Sequence, residues 1–391
     1  MITARKLFSW VLCAIPLFIV ISLDGSFSIQ SILIPILLVI LIVASQKKVR
    51  VEKSEKVIFL LLFISIAVSL IFNIFLGKLP TIYLIRIVYT ILVFLFYYLA
   101  TSIVVAPKDI TKFFNFSIIS GFIVSSYFIF IKRIWYTNLI GVRIDKNFTG
   151  GLLAIYSEFA FLLFYYQKDK IKKNLYLIAF VYLFIGVFYS GSRASMAVSL
   201  IGALGIILED SYMKLQNKKY FLRTIIAITL FAIAAILLYS KISEIMTSNP
   251  KYQWFWNRYF VNSYEDKSNI TRIAYWTEGL KLWMDRPIFG HGPGYITITK
   301  VGSAVAHNTF IDYMVDCGIL GLTAFSIVLY RSVGKILLSK EKTFKALPIT
   351  LFVFCIILSL NRSVLLWSVL IICWQMSNQK VNYIEFIQKG Y

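Results

Sequence analysis

The chain has 391 residues, of which 59% are hydrophobic, 17% aromatic and only 15% charged, with a formal net charge of +22 and a mean hydropathy of +0.79. A soluble protein of this length carries roughly 25% charged residues, so the composition excludes a soluble enzyme and points to an all-α, polytopic membrane protein. It also excludes a nucleic-acid partner, because no soluble basic face exists to meet one.

Apolar stretches of spanning length fall at about 8–23, 29–45, 57–76, 82–105, 113–131, 148–167, 174–190, 193–208, 222–240, 308–330, 346–360 and 363–377, giving about twelve helices in a single membrane domain over 1–391. The first reads as a retained helix and not a signal peptide, since it lacks a small-residue cleavage site and further spans follow at once. The junctions near 190–193 and 360–363 are tight enough for each flanking pair to be one broken helix. All four cysteines (Cys13, Cys317, Cys355, Cys373) fall in apolar spans and form neither a disulfide framework nor a metal-ligand spacing, so no metal and no cofactor is expected.

Lysine and arginine set the orientation. With the N-terminus inside, Arg5 and Lys6, the Lys47–Lys56 cluster, Lys108, Lys112, the Lys168–Lys173 cluster, Lys214–Arg223, Arg331–Lys345, Lys380 and Lys389 all face the cytoplasm. The short loops on the other side hold far fewer. Both termini are therefore cytoplasmic, and the long 241–307 loop is extracytoplasmic. Anionic lipid on the inner leaflet accounts for most of the positive charge.

The long loop reads as folded and membrane-hugging. Tyr252, Trp254, Phe255, Trp256, Tyr259 and Phe260 crowd one stretch after Pro250, as aromatics do at a bilayer interface. A helix follows over 271–286, with Ile273, Trp276, Leu280, Trp283 and Met284 on one apolar face. Thr271 is placed to cap it, which would aim free N–H groups near Arg272 and favour an anion. Gly290, Gly292 and Gly294 then make a tight turn. No strand precedes it and no helix follows, so it is not a dinucleotide motif. The Asn147 and Asn269 sequons read as caps and turns.

Charges that the topology does not require mark the outer side. Arg193 follows the turn Ser190-Gly191-Ser192, Arg272 opens the loop helix, Arg143 and Lys146 sit on a short outer loop, and Arg86 lies inside the fourth span. A charge at membrane depth costs about 3 kcal/mol and usually lines a polar cavity. Arg86 could instead pair with Glu158, embedded in the sixth span, as a structural ion pair, and Arg193 could be a snorkelling anchor. The loop re-enters the membrane at His307-Asn308, one of only two histidines in the chain. Imidazole takes and returns a proton near neutral pH. The plainer reading of His307 is an ordinary helix cap. Asp312, Asp316, Gly318 and Gly321 follow along the apolar run.

The pattern His307-Asn308, nine residues, Gly318, two residues, Gly321 resembles the signature of the O-antigen ligase and O-antigen polymerase superfamily. Arg272-x-x-x-Trp276, then Asp285-Arg286-Pro287-x-x-Gly290-x-Gly292, is similar to that family's outer loop, and Ser190-Gly191-Ser192-Arg193 to its Ser-Arg turn. The resemblance covers roughly 140–330 and departs from it at Ala197, where ligases tend to carry leucine.

This resemblance implies a GT-C-like fold and a metal-independent, inverting glycosyl transfer on the extracytoplasmic face of the cell membrane. The donor would be a glycan on undecaprenyl diphosphate and the acceptor a glycan or lipid-linked sugar, with membrane lipid the remaining partner. Arg193 and Arg272 would hold the diphosphate leaving group, His307 would deprotonate the acceptor hydroxyl, and Asp316 would orient His307 or the acceptor. Asp312, Asn308, Arg86 and Arg143 are further candidate substrate contacts. Gly318 and Gly321 would admit a neighbouring helix or lipid. A surface-polysaccharide polymerase (O-antigen or capsule) is the preferred expectation and a ligase to lipid A core the alternative. A lipid-oligosaccharide flippase fits less well, because no pseudo-repeated halves are detectable. A non-catalytic assembly factor would leave His307 and Arg272 without purpose.

Overall fold

A computed structural model describes residues 4–19, 53–77, 81–103, 105–131, 146–214, 248, 253, 267–295, 306–338, 345–357, 363–379 and 383–388. Every regular element among them is a helix: α1 (Ala4–Ile19), α2 (Lys53–Phe75), α3 (Thr81–Thr101), α4 (Pro107–Ser126), α5 (Lys146–Tyr166), α6 (Lys170–Tyr189), α7 (Arg193–Lys214), α8 (Lys267–Asp285), α9 (Thr309–Leu329), α10 (Ala346–Ile357), α11 (Val364–Asn378) and α12 (Tyr383–Gln388). α9 continues through a π turn, Tyr330–Gly334, into Lys335–Leu338. Among the described residues five helices are long and apolar enough to cross a membrane: Glu55–Phe75, Tyr83–Thr101, Asn147–Tyr166, Lys170–Tyr189 and Thr309–Leu338. The expected spans at 29–45 and 222–240, the aromatic stretch 252–260 apart from residue 253, and Arg143 lie outside the described residues.

The tight junction at 190–193 separates two helices. Gly191 takes φ +64°, a left-handed conformation open to glycine at little cost, and so turns the chain between α6 and α7. The junction at 360–363 lies mostly outside the described residues.

α5 is the central helix. Within its most apolar window 83% of the residues are buried, against 22% for α6. Its sequence explains this, because small residues let neighbouring helices approach closely. The Phe354 ring of α10 lies over Gly151, and Ser190 and Ser195 press on Gly150. Larger side chains fill the space between, as where Phe114 of α4 stacks on Phe159 at 4.5 Å. Trp367 of α11, wholly buried, meets Phe94 at 4.7 Å.

Two expectations about charge change here. Glu158 does not pair with Arg86. Its Oε1 accepts from the Thr350 hydroxyl at 3.1 Å, and its carboxyl packs on the face of α7 left open by Gly202. Arg86, on α3, instead lies against the turn at Gly294, so the two residues belong to different parts of the bundle. Arg331, counted above among the residues that face the cytoplasm, is buried and paired with Glu55 at 3.1 Å. Burying a charge is tolerable only with such a partner.

That ion pair belongs to the contact that positions the site. α2 and α9 run antiparallel, with Glu55 against Arg331 at one end and Ser65 beside Cys317 midway, its hydroxyl 2.7 Å from the Cys317 carbonyl. At the other end, Asn73 reaches the carbonyl of His291 at 2.6 Å.

Candidate functional site

α9 is broken at Gly318, whose φ of 61° and ψ of −161° are not helical. In an unbroken helix the N–H groups of residues 319 and 320 would donate to the carbonyls of 315 and 316. Here the glycine-rich turn after α8 takes those places. The Ile319 and Leu320 N–H groups donate to the carbonyls of Pro287 (2.8 Å) and Ile288 (3.4 Å). The Val315 and Asp316 carbonyls accept from His291 (2.8 Å) and Gly292 (2.7 Å). Four groups freed by the break are thus all satisfied, as buried backbone must be. Ser65 closes the seam by donating to Phe289 and Cys317.

Only glycine fits this seam. A Cβ on Gly318 would collide with the Ile288 carbonyl, one on Gly290 would stand 2.5 Å from the Gly318 nitrogen, and one on Gly292 would enter the Tyr83 ring. Gly318 therefore admits a polar loop, and not the helix or lipid expected from its spacing. Gly321 faces Cys317 of its own helix.

The seam ties α8 to α9 and brings Arg272 toward His307. Tyr275, one turn after Arg272 on α8, lies 6.2 Å from the His307 ring at an interplanar angle of 30°. Below it, Trp276, Leu282 and Trp283 pack on Ala306, Ile311 and Val315. The apolar arc expected on this helix is split down its middle. Trp276 and Trp283 turn inward, while Ile273, Leu280 and Met284 are exposed. α8 also begins at Lys267, a turn earlier than expected. Thr271 is thus inside the helix and not its cap. The N–H of Arg272 falls within the i→i−4 ladder, so the anion site expected from free N–H groups there does not form.

His307 is held by its neighbours on both sides. Among the described residues it is the only non-glycine with positive φ, at 54°, an uncommon conformation that local contacts must stabilise. Asn308 caps α9, its Oδ1 accepting from Phe310 (2.9 Å) and Ile311 (3.1 Å). Asp312, one turn on and buried, accepts the Ala306 N–H at 3.1 Å. The plain reading of this position as a helix cap thus belongs to Asn308, and the imidazole projects from the kink just before it, partly exposed.

Arg193 opens α7. Ser192 caps that helix through its contact with the Ser195 N–H at 3.3 Å and donates to Asn147 at 3.1 Å. Asn147 stands at the start of α5, a turn before Gly151, against which Phe354 packs. Two residues earlier on α10, Phe352 meets Phe310 of α9 at 5.6 Å. α10 therefore bridges the Ser190–Arg193 turn to the start of α9, and Arg193 lies at the same end of the bundle as His307.

Asp316 sits elsewhere. It is about 13 Å along the helix axis from His307, and its Oδ1 accepts from the Gly294 N–H at 2.8 Å. Arg86 packs on that same Gly294. The carboxylate near His307 is Asp312, and the pair Asp316 and Arg86 belongs to the glycine turn. Sequence reading passed over Ser65, Asn73, Tyr83, Tyr275 and His291. His291, 4% exposed, has its Nε2 2.7 Å from the Leu282 carbonyl and stacks on Tyr295. No local pattern marks Ser65, Asn73, Tyr83 or Tyr275, since each meets a partner from a distant segment. Among the described residues no group of three or more His, Cys, Asp or Glu is placed to hold a metal.

Residues 178–326 match a family model described as O-antigen ligase. The matched segment runs from α6 to α9 and contains Arg193, Arg272, the glycine turn and His307. No curated protein matches the chain.

Proposed function

We propose that this multi-pass membrane protein of the O-antigen ligase family is a glycosyltransferase that polymerises a bacterial surface polysaccharide, O-antigen or capsule. The donor is a glycan on undecaprenyl diphosphate, and the acceptor is a sugar hydroxyl. The imidazole of His307 takes the hydroxyl proton as the oxygen bonds to the anomeric carbon, and the bond from that carbon to the diphosphate breaks with inversion. Arg193 and Arg272 hold the charge that builds on the departing diphosphate, because a guanidinium offers two parallel bonds at fixed charge. General-base action of this kind contributes about 10²–10⁴-fold, with fixed positive charge supplying most of the rest. No metal enters this scheme, and the reaction lies on the extracytoplasmic face of a single membrane domain, the side assigned to the 241–307 loop.

The observation that supports this most is the His307 kink beside Tyr275 of the helix that carries Arg272. The matched family's description as a ligase favours a second reading, in which the glycan passes to lipid A core or another acceptor. One incubation separates the two. Purified protein is mixed with lipid-diphosphate-linked glycan, alone and with lipid A core, with and without a chelator, and product size is followed. Lengthening of the glycan with donor alone is expected, unchanged by the chelator. Transfer only when core is present replaces the polymerase with the ligase, and reversible loss in the chelator replaces the metal-free mechanism.

A further inference from the structure

We infer a second phosphate site on this protein, built on Arg286 and Phe72, that takes the phosphate of a membrane lipid at the rim of the bundle. It goes beyond glycan transfer and stands whether or not His307 acts as a base.

The Arg286 guanidinium lies over the Phe72 ring, 5.3 Å from its centroid. A cation on an aromatic face is held in place without its charge being neutralised. Among the described residues no acceptor meets its buried Nη1, although a guanidinium carries five donors that all seek one. The end of α8 gives the cation a favourable field but places no oxygen on this nitrogen. The side chain as a whole remains partly exposed. Its backbone, by contrast, is fixed: the Arg286 N–H donates to Trp283 and its carbonyl accepts from Gly290, both within the seam against α9.

The surroundings identify the ligand's chemistry. Phe72 is 51% exposed, Phe75 84%, and Leu76, Met284 and Ile288 are exposed beside them. Apolar side chains left open at the end of an apolar helix face lipid tails, so the cation sits where tails give way to headgroups. An anion arriving there is borne on a lipid, and a phosphate oxygen matches the guanidinium fork. Arg272 is about 21 Å away along α8, too far for one diphosphate to touch both. The rim site is therefore separate from the cluster around His307.

The test is equilibrium binding to the purified full-length protein, read by native mass spectrometry with no acceptor present. The probes are undecaprenyl monophosphate and phosphatidylglycerol. Arg286→Gln should weaken lipid-phosphate binding by at least about tenfold, whereas Arg272→Gln should leave the rim site occupied. Loss for undecaprenyl phosphate alone identifies the carrier lipid as the occupant, and equal loss for both lipids identifies a general headgroup site. Phe72→Leu, which leaves the Arg286 backbone anchored, should weaken binding by about threefold; it guards against misfolding of the Gln variant. Affinities within about twofold of wild type in both variants, with unchanged melting temperatures, would overturn the site.

Discussion

α9 ends in polar groups at both extremities, and the two ends treat them differently. At the far end Arg331 meets Glu55 at 3.1 Å, Ser332 meets Tyr97 at 2.7 Å, and all four side chains are buried. At the near end Asn308 and Asp312 are also buried, but their hydrogen bonds are spent on the backbone on either side of His307. The imidazole between them is left partly exposed on a left-handed residue. The polar pairs at the far end each join one helix to another and so hold the bundle together. The polar groups at the near end hold one residue in a left-handed conformation that it would not otherwise favour.

The largest separation between the two ends should come from His307→Ala. It should lower the transfer rate by about 10²–10⁴-fold, with expression and melting temperature unchanged, as measured by product formation and thermal unfolding. Undiminished product would remove the proton-transfer role. At the other end, Glu55→Gln leaves Arg331 as an uncompensated buried charge and should cost about 3–5 kcal/mol of stability. The protein that remains folded should transfer at the normal rate per molecule. A slowed rate in a stable Glu55→Gln variant would mean that the two ends are coupled.

Arg272→Lys should be nearly as harmful as Arg272→Ala, because a point charge cannot reproduce the two parallel bonds of the fork. Full activity in the Lys variant would reduce Arg272 to charge steering. The smallest expected effect separates Asp312→Asn from Asp312→Ala. Asparagine can still accept the Ala306 N–H, whereas alanine strands it at a cost of about 1–3 kcal/mol. Alanine should therefore reduce kcat clearly more than asparagine. Equal losses would show that Asp312 acts through its charge and not by holding residue 306.

The sequence carried the helical membrane class and the helix start after His307-Asn308, because apolar length and a capping Asn are local signals. It also placed the glycine turn at 290–294. It misplaced what depends on partners. The Arg86–Glu158 pair was plausible by depth alone, yet depth does not say which helix faces which. The apolar arc of α8 was real, but its division between a core side and an exposed side is set by α9. Asp316 and Asp312 are both acidic residues on one apolar helix, and only the loop threaded into the break at Gly318 distinguishes their surroundings. Hydrophobic periodicity fixes what must leave water. The pairing of individual buried donors and acceptors is a property of segments far apart in the chain, and packing in three dimensions alone determines it.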